Sequence, residues 1–245
     1  MKKTDRVTLL VDQLNELKLH SMASSLESLY RSKEFDALDR LRFLEQIITP
    51  EYEDTMSRQY ENRLERAHLK GCPQSISSCV DSSERCYLPS EVVSTLSSMD
   101  FIEEGLNVCI LGPSDSGKSY LAKALAIQAC MKYRVSYFHC EPFLEELVSL
   151  KGADYPKYQK RIRYFIKMDL LILDDFLLHT ISDEREIKVL FEVMEKRSEL
   201  SKSTIVCSQR EPSSWASMIL NDEVSSNAIM KRATKHYTVV IQPKD

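Results

Sequence analysis

The N-terminal part of the chain is dominated by apolar residues at helical spacing. Leucines recur at three- and four-residue steps over residues 10–48, with charged side chains between them. Pro50 ends this pattern, and a third helical segment over residues 51–71 closes at Gly71, a residue type that favours helix C-termini. The pattern therefore predicts a small all-α N-terminal domain that covers residues 1–71.

A serine-rich stretch follows this predicted domain. Residues 72–90 are rich in turn-forming side chains, and residues 91–104 show a short helical pattern. We predict that residues 72–104 form a linker and a lead-in helix.

The hydrophobic pattern changes at residue 107, where short β-rich runs begin to alternate with helical segments. These runs cover residues 107–111, 135–139, 170–175, 203–208 and 236–241. Strands that alternate with helices form parallel sheets with helices on both faces. The fold class expected for residues 105–245 is therefore α/β, with a five-stranded parallel sheet.

Composition limits the classes of protein to which the chain can belong. Hydrophobic residues make up 43% of the 245 residues, which is enough for a buried core. No apolar run approaches the ~20 residues that span a bilayer, and the first residues lack an export cleavage site. We therefore expect a cytoplasmic protein with no membrane partner. The seven cysteines include no C-x-x-C pair, which argues against a disulfide scaffold or a zinc site.

The segment from Gly112 to Ser119 matches the pattern G-x-x-x-x-G-K-S at every fixed position. A predicted strand precedes it and a predicted helix follows it, which is the context in which this loop binds nucleotide phosphates. Backbone N–H groups and the positive end of the helix would bind phosphate oxygens. Lys118 would reach the β- and γ-phosphates, and the Ser119 hydroxyl would bind Mg²⁺. The predicted ATP-binding residues are Gly112, Pro113, Ser114, Asp115, Ser116, Gly117, Lys118, Ser119 and Tyr120.

Asp115 is an unusual residue inside this loop because its carboxylate lies near the anionic phosphates. Aspartate tolerates left-handed backbone better than most residues, so the loop can still form. We expect Asp115 to weaken nucleotide affinity relative to glycine.

Two adjacent carboxylates follow the apolar run of residues 170–173. Polar groups at the carboxyl edge of a parallel sheet lie beside the phosphate loop. We predict that Asp174 holds the Mg²⁺ shell and that Asp175 orients or polarises the attacking water. The next predicted strand ends in Ser208 and Gln209, which we expect to sense the γ-phosphate between the two acids.

Basic side chains outside the phosphate loop predict two further kinds of contact. Arg232, shortly before the last predicted strand, is a candidate arginine finger for a neighbouring subunit's nucleotide, with Lys231 as its rival. Lysine and arginine contacts to phosphates give sequence-independent, salt-sensitive DNA binding. The candidate DNA contacts are Lys157, Lys160, Arg161, Arg163 and Lys167 in one segment, and Arg58, Arg63, Arg66 and Lys70 in another. Solvated helix faces and local ion pairs are the alternative interpretations.

These motifs resemble those of the IstB-like ATP-binding proteins, which are helper ATPases of insertion-sequence transposition. That family is close to the DnaC helicase loaders and the DnaA-type initiators of the AAA+ class. The resemblance is carried by residues 14–29, 62–70, 101–126, 170–176, 203–209 and 228–233. The sequence departs from the family pattern at Asp115 and Leu177, which replace common glycines.

The resemblance implies a AAA+ ATPase that uses ATP and Mg²⁺ and assembles as a ring- or clamshell-like homo-oligomer on duplex DNA. It would stimulate the transposase encoded by the same element, with the N-terminal domain binding DNA or a partner. A replicative helicase is the alternative partner, as for a helicase loader. A small-molecule kinase and a nucleotide-binding scaffold with little turnover are alternatives of another class. The kinase alternative predicts an arginine-rich lid, and no arginine cluster of that kind follows residue 175.

Overall fold

The chain is described by a computed structural model over residues 3–32, 35, 37–219 and 223–243. Some residues of the two predicted domains lie outside the described residues, namely 1–2, 33–34, 36, 220–222 and 244–245. The chain divides into two compact units, Met1–Asn62 and Arg63–Asp245. The division falls before Gly71, where the sequence pattern placed the domain boundary.

The first unit is helical, as the leucine pattern predicts. Its helices are α1 (Lys3–Glu16), α2 (His20–Arg31) and α3 (Arg40–Arg66), the last of which extends into the second unit. The predicted break at Pro50 is wrong, because α3 continues through it. Glu51 accepts hydrogen bonds from the backbone N–H groups of Ser21 and Met22 at 2.9 and 3.2 Å and so caps α2. An interior proline costs a helix ~3 kcal/mol, and the contact of Glu51 with α2 is a tertiary interaction that favours continuation of α3 past Pro50.

The predicted linker contains regular structure that the sequence pattern missed. Its elements are α4 (Ile76–Val80), β1 (Arg85–Leu88), α5 (Val92–Ser97) and α6 (Asp100–Glu103). The two short helices lie within the predicted lead-in helix. β1 is part of the sheet, because it pairs antiparallel with the last strand of the chain.

The remaining residues alternate between strands and helices. The elements are β2 (Val108–Leu111), α7 (Lys118–Ala129), β3 (Val135–His139), α8 (Cys140–Ala153), α9 (Tyr155–Lys167), β4 (Leu170–Asp174), α10 (Glu184–Glu199), β5 (Ser203–Ser208), a 3-10 turn (Pro212–Ser214), α11 (Trp215–Met218), α12 (Glu223–Thr234) and β6 (Tyr237–Pro243). The described residues form a six-stranded sheet in the order β1-β6-β2-β5-β4-β3. The predicted α/β class and its parallel pairings are confirmed, and the sixth, antiparallel strand corrects the expected five.

The central strands are buried along their whole length, which explains their continuous apolar runs. Every residue of β2, β4 and β5 is buried, as expected for strands covered on both faces. On one face, side chains such as Leu171 and Val206 join a core that includes Phe143, Phe165 and Trp215. Because β2, β4 and β5 are parallel, the segments that follow them meet at one edge of the sheet.

Helix lengths and compositions also bear on the class of protein. None of the helices in the described part of the chain combines the length and apolar character needed to cross a membrane.

Candidate functional site

The loop between β2 and α7 is shaped by its two glycines. A Cβ atom on Gly112 would lie 2.6 Å from the Ser116 Oγ and 2.8 Å from the Ile241 carbonyl oxygen. Gly117, directly before α7, has a φ of +97°, a left-handed conformation that favours glycine. Asp115 also has a left-handed backbone, with a φ of +60°. The loop therefore forms with aspartate at this position, at the cost of a conformation that few other side chains tolerate.

Lys118 points into the loop that carries it. Its side chain is buried, and its Nζ donates a hydrogen bond to the Pro113 carbonyl oxygen at 2.6 Å. Burial lowers the pKa of the Lys118 ammonium, while the negative charges of Asp174, Asp175 and Asp115 act in the opposite direction. The ammonium is therefore held close to the carboxylates predicted to act with it.

The two adjacent acids at the end of β4 lie in different environments. Asp174 is fully buried and accepts hydrogen bonds from the Tyr137 hydroxyl and from the Asp175 backbone N–H, the latter at 3.0 Å. Burial and the hydrogen bond to Asp174 raise the pKa of the Tyr137 hydroxyl. Asp175 has a left-handed backbone and is only partly buried. One carboxylate is thus fixed in the interior, and the other is accessible.

His139 is a neighbour of Asp175 that sequence reasoning missed. Its Nδ1 lies 2.8 Å from the Asp175 Oδ2. β3 and β4 are adjacent and parallel, and His139 is paired with Asp174 in their register. The usable signal in the sequence was a polar residue at the end of the strand before the acidic one.

A cavity of about 270 Å³ joins the predicted site residues at this edge of the sheet. It is lined by Ser114, Asp115, Gly117, Lys118, Ser119, Asp175 and Gln209. The loop after β2, the acid after β4 and the polar residue after β5 thus meet, as expected. Ser208 does not take part, because it is buried and its Oγ donates to the Phe176 carbonyl oxygen at 2.8 Å.

The residues around this cavity fit a nucleotide with Mg²⁺. A side chain on Gly112 would collide with Ser116 and Ile241, and one on Gly117 with Arg85, so the loop keeps this shape only with glycine at both positions. Within the part of the chain that the structure describes, the buried Ser116 Oγ has no hydrogen-bond partner and could donate to a phosphate oxygen. No cluster of three or more metal-binding His, Cys, Asp or Glu side chains occurs within the described residues. Mg²⁺ commonly binds through one or two protein groups together with phosphate oxygens and water. Ser119 and Asp175 line the cavity and fit such a site, whereas Asp174, the predicted ligand, is buried behind it with both carboxylate oxygens accepting internal hydrogen bonds.

Arg232 lies away from this cavity. Its guanidinium is 3.3 Å from a Glu195 carboxylate oxygen and donates to the Ala228 carbonyl oxygen at 3.1 Å. Its own carbonyl oxygen accepts from the Asn107 side chain, which lies at the amino end of β2. The cavity is at the opposite edge of the sheet, so a role for Arg232 in a neighbouring subunit's site stays a prediction.

The basic residues of α9 fall into two groups. Lys157 is 2.8 Å from the Asp154 carboxylate and Arg161 is 2.6 Å from that of Glu146, so their charges are locally balanced. The other three, Lys160, Arg163 and Lys167, are exposed and form no ion pair within the described residues. Their spacing of three and four residues places them on one side of the helix.

The second predicted DNA-contact set is largely engaged in contacts within the chain. Arg58 is 3.2 Å from a buried glutamate of the first unit, and Lys70 is 3.9 Å from Glu65. Arg63 donates to two carbonyl oxygens at the end of α7, at 2.8 and 2.6 Å. Arg66 lines a groove of about 220 Å³ in the second unit. Of this set, Arg66 is best placed for an external ligand.

Comparison with known proteins identifies similar chains. The family of IstB-like ATP binding proteins matches residues 12–244. An insertion-sequence ATP-binding protein of Sinorhizobium fredii is 30% identical over 222 residues, which cover 91% of this chain and 88% of that protein. A protein named for ATP binding in insertion sequence IS232 of Bacillus thuringiensis subsp. berliner is 33% identical over 144 residues, 58% of this chain and 56% of its own.

One solved structure has a fold similar to that of this chain. AMPPCP-bound DnaA from Aquifex aeolicus superposes with a TM-score of 0.56 at 19% identity, over 70% of this chain and 51% of that one. At this identity the likeness concerns the fold alone. The chain therefore spans little more than half of the Bacillus protein and about half of the DnaA chain.

Proposed function

The chain belongs to the family of IstB-like ATP binding proteins, and from this we propose that it is a Mg²⁺-dependent ATPase that acts on duplex DNA and assists an insertion-sequence transposase. The observation that carries the proposal is the cavity in which the phosphate loop, Asp175 and Gln209 meet. ATP binding is part of the family's description, and AMPPCP-bound DnaA is among the structures with a fold similar to that of this chain.

The side chains around the cavity have distinct roles in the proposed hydrolysis. Lys118 and the N–H groups of the loop would bind the phosphate oxygens, and Ser119 would hold Mg²⁺, with Asp175 as the carboxylate that lines the cavity. When bound, Mg²⁺ supplies positive charge that stabilises the developing charge on the phosphate oxygens. Asp175 is accessible and would orient a water molecule through its Oδ atoms, while His139 holds that carboxylate in place. Gln209 lines the same cavity, whereas Ser208 is buried, so Gln209 is a stronger candidate than Ser208 for contact with the γ-phosphate.

ATP hydrolysis can be tested by comparing alanine variants of two lysines, one at the proposed site and one on a different helix as a control. We expect Lys118→Ala to abolish ATP binding and phosphate release. Lys188→Ala, which removes an exposed α10 lysine paired with Glu184, serves as the control and should leave both unchanged. Phosphate release by Lys118→Ala at the wild-type rate would refute the assignment of the site.

The exposed cations of α9 support the proposed DNA binding. Lys160, Arg163 and Lys167 have no acidic partner in the described residues and share one side of a helix. Contacts of this kind bind phosphates without reading sequence, and each phosphate neutralised adds about 0.9 to the salt slope of the binding constant on duplex DNA. We propose this face as the main duplex contact, with Arg66 as an additional contact.

A triple variant tests this face. The change Lys160→Ala, Arg163→Ala and Lys167→Ala should lower the salt slope of duplex binding by about 2–3. The matched control replaces Lys132, Lys188 and Lys196 with alanine, since each of these is paired with a carboxylate. Equal slopes for the two triple variants would exclude α9 as the DNA contact.

The partner and the assembly complete the proposal. The relatives are named as insertion-sequence proteins, which supports a transposase as the partner. We further propose a homo-oligomer on DNA as the active form. Sedimentation with ATP and duplex DNA should show assemblies larger than the monomer. In parallel binding assays we expect capture of the transposase encoded by the same element. Capture of a replicative helicase instead would favour the loader function.

A further inference from the structure

Arg85 is a cation beside the phosphate loop that the sequence motif does not include. It belongs to β1, the strand hidden in the predicted linker, and the antiparallel pairing of Arg85 with Pro243 brings it to the edge of the sheet next to the loop. A Cβ atom on Gly117 would lie 2.8 Å from the Arg85 Nε and 3.0 Å from its Cζ. The guanidinium therefore stands directly against the residue that precedes α7.

The aromatic ring of Tyr120 lies on another side of this guanidinium. The Arg85 Cζ is 5.6 Å from the centroid of the ring, within the range of a cation–π contact. Tyr120 is in the first turn of α7, three residues after Gly117. The glycine and the ring together restrict where the planar guanidinium can lie.

The acids nearest to Arg85 do not neutralise it. Glu84 and Asp115 line the same cavity of about 230 Å³ as Arg85. Within the described residues, however, neither carboxylate forms an ion pair with it. The guanidinium instead faces the amino end of α7, where the helix dipole repels a cation unless an anion lies nearby. Its other polar neighbours are the Tyr87 hydroxyl and the Cys79 thiol; burial raises the pKa of both groups, so they are neutral. This placement favours a bound anion as the charged partner of Arg85.

The charge balance of the loop leads to the same expectation. Lys118 contributes one positive charge and Asp115 one negative charge, so the charged side chains of the loop cancel. The cavity lined by Arg85 is separate from the proposed nucleotide cavity but shares Ser114 and Asp115 with it. The Arg85 guanidinium beside Gly117 therefore restores a net positive charge next to the proposed phosphate site. Its planar N–H groups can also donate two parallel hydrogen bonds to a phosphate, which an ammonium cannot.

We infer that Arg85 binds the phosphate chain of the nucleotide and acts as a second cation beside Lys118, with Tyr120 holding its plane. This inference rests on the proposed nucleotide site and adds a binding residue to it. It also explains how the loop tolerates Asp115.

Titration calorimetry with ATP, tripolyphosphate and adenosine tests the inference. Arg85→Gln keeps most of the side-chain stem and removes the charge, and we expect it to weaken ATP and tripolyphosphate binding about tenfold, the effect of losing one charge-assisted hydrogen bond. Arg85→Lys should lose less, because it keeps the charge but not the paired donors. Adenosine binding, if measurable, should not change, since adenosine carries no phosphate.

The control is Arg185→Gln, an exposed arginine paired with Asp183 at the start of α10, which should bind all three probes like the wild type. Arg85→Gln with wild-type affinity for ATP and tripolyphosphate would overturn the inference and leave the proposed ATPase intact. An equal loss for adenosine would assign Arg85 to the nucleoside and also overturn it. A wild-type protein that binds neither ATP nor tripolyphosphate would refute the proposed function and this inference together.

Discussion

Arg197 offers the most direct test of how the second unit is held together. Its side chain is only 1% exposed, although arginine is rarely buried. The guanidinium donates to the carbonyl oxygens of Phe165 and Met168 at 2.6 and 2.9 Å, to that of Ser203, and to the Thr204 Oγ1 at 3.0 Å. These acceptors belong to the end of α9 and the start of β5. One side chain of α10 therefore joins three elements.

The expected cost of Arg197→Met follows from these contacts. Methionine retains an unbranched stem of similar length but leaves the buried acceptors without this donor. Each unsatisfied buried group costs about 1–3 kcal/mol. Carbonyl oxygens have a second lone pair, and removal of a buried charge recovers part of its desolvation cost. We therefore expect a net loss of about 3 kcal/mol in the free energy of unfolding, out of the ~5–15 kcal/mol typical of a domain.

Trp215 makes this loss measurable within the second unit. It is the only tryptophan in the chain and is fully buried, so its fluorescence during urea denaturation reports on that unit. The control is Arg185→Met, whose exposed ion pair with Asp183 should contribute less than about 1 kcal/mol. A loss below about 1 kcal/mol for Arg197→Met would mean that desolvation of the guanidinium cancels its hydrogen bonds. That result would refute a net stabilising role for Arg197.

Three further predictions concern individual carboxylates. Asp175→Asn should retain ATP binding and lower phosphate release about 10²–10⁴-fold, the usual contribution of a general base; unchanged release would exclude that role. Asp115→Gly should bind ATP several-fold more tightly, because glycine removes a like charge worth about 1 kcal/mol and suits the left-handed backbone; an unchanged or weaker affinity by calorimetry would rule out repulsion. Burial raises the pKa of Asp169, but hydrogen bonds from Arg134 and Lys202 lower it more strongly. Its stabilising contribution is therefore present above the unfolded pKa of about 3.9 and is lost as the pH falls further. Asp169→Asn should be about 1–3 kcal/mol less stable at neutral pH, and the difference in urea midpoint should shrink below about pH 4; a constant difference would contradict the ion-pair assignment.

The parallel strands could be predicted from the sequence because burial on both faces produces an apolar run whatever the order of the strands in the sheet. A strand buried on both faces reads as an apolar run, as in residues 170–173, and such runs are distinct from the surrounding helices. The phosphate loop is also partly local, since the contact of Gly112 with Ser116 and the left-handed backbone of Gly117 both lie within the loop. The family resemblance, carried by the same segments, is confirmed by the match over residues 12–244.

Features that depend on distant partners could not be read in this way. β1 has four residues in a serine-rich stretch and becomes a strand only because β6 offers its free edge. Arg85 therefore could not be placed at the phosphate loop. Pro50 predicts a helix break by local rules, and only the contact from Glu51 to the amino end of α2 reverses it. In both cases a nonlocal hydrogen bond outweighs a local preference.

At the end of β5, the sequence predicts the position of two polar residues but not which of them faces the cavity. Ser208 and Gln209 are adjacent, and both could be assigned to the γ-phosphate from their place after β5. Successive residues of a strand point in opposite directions, so at most one of them could face the cavity. The Ser208 hydroxyl donates to the Phe176 carbonyl oxygen and is buried, whereas Gln209 lines the cavity with Lys118 and Asp175. We therefore propose the sensor role for Gln209 alone, while the Ser208 hydroxyl connects the end of β5 to Phe176, directly after the two acids.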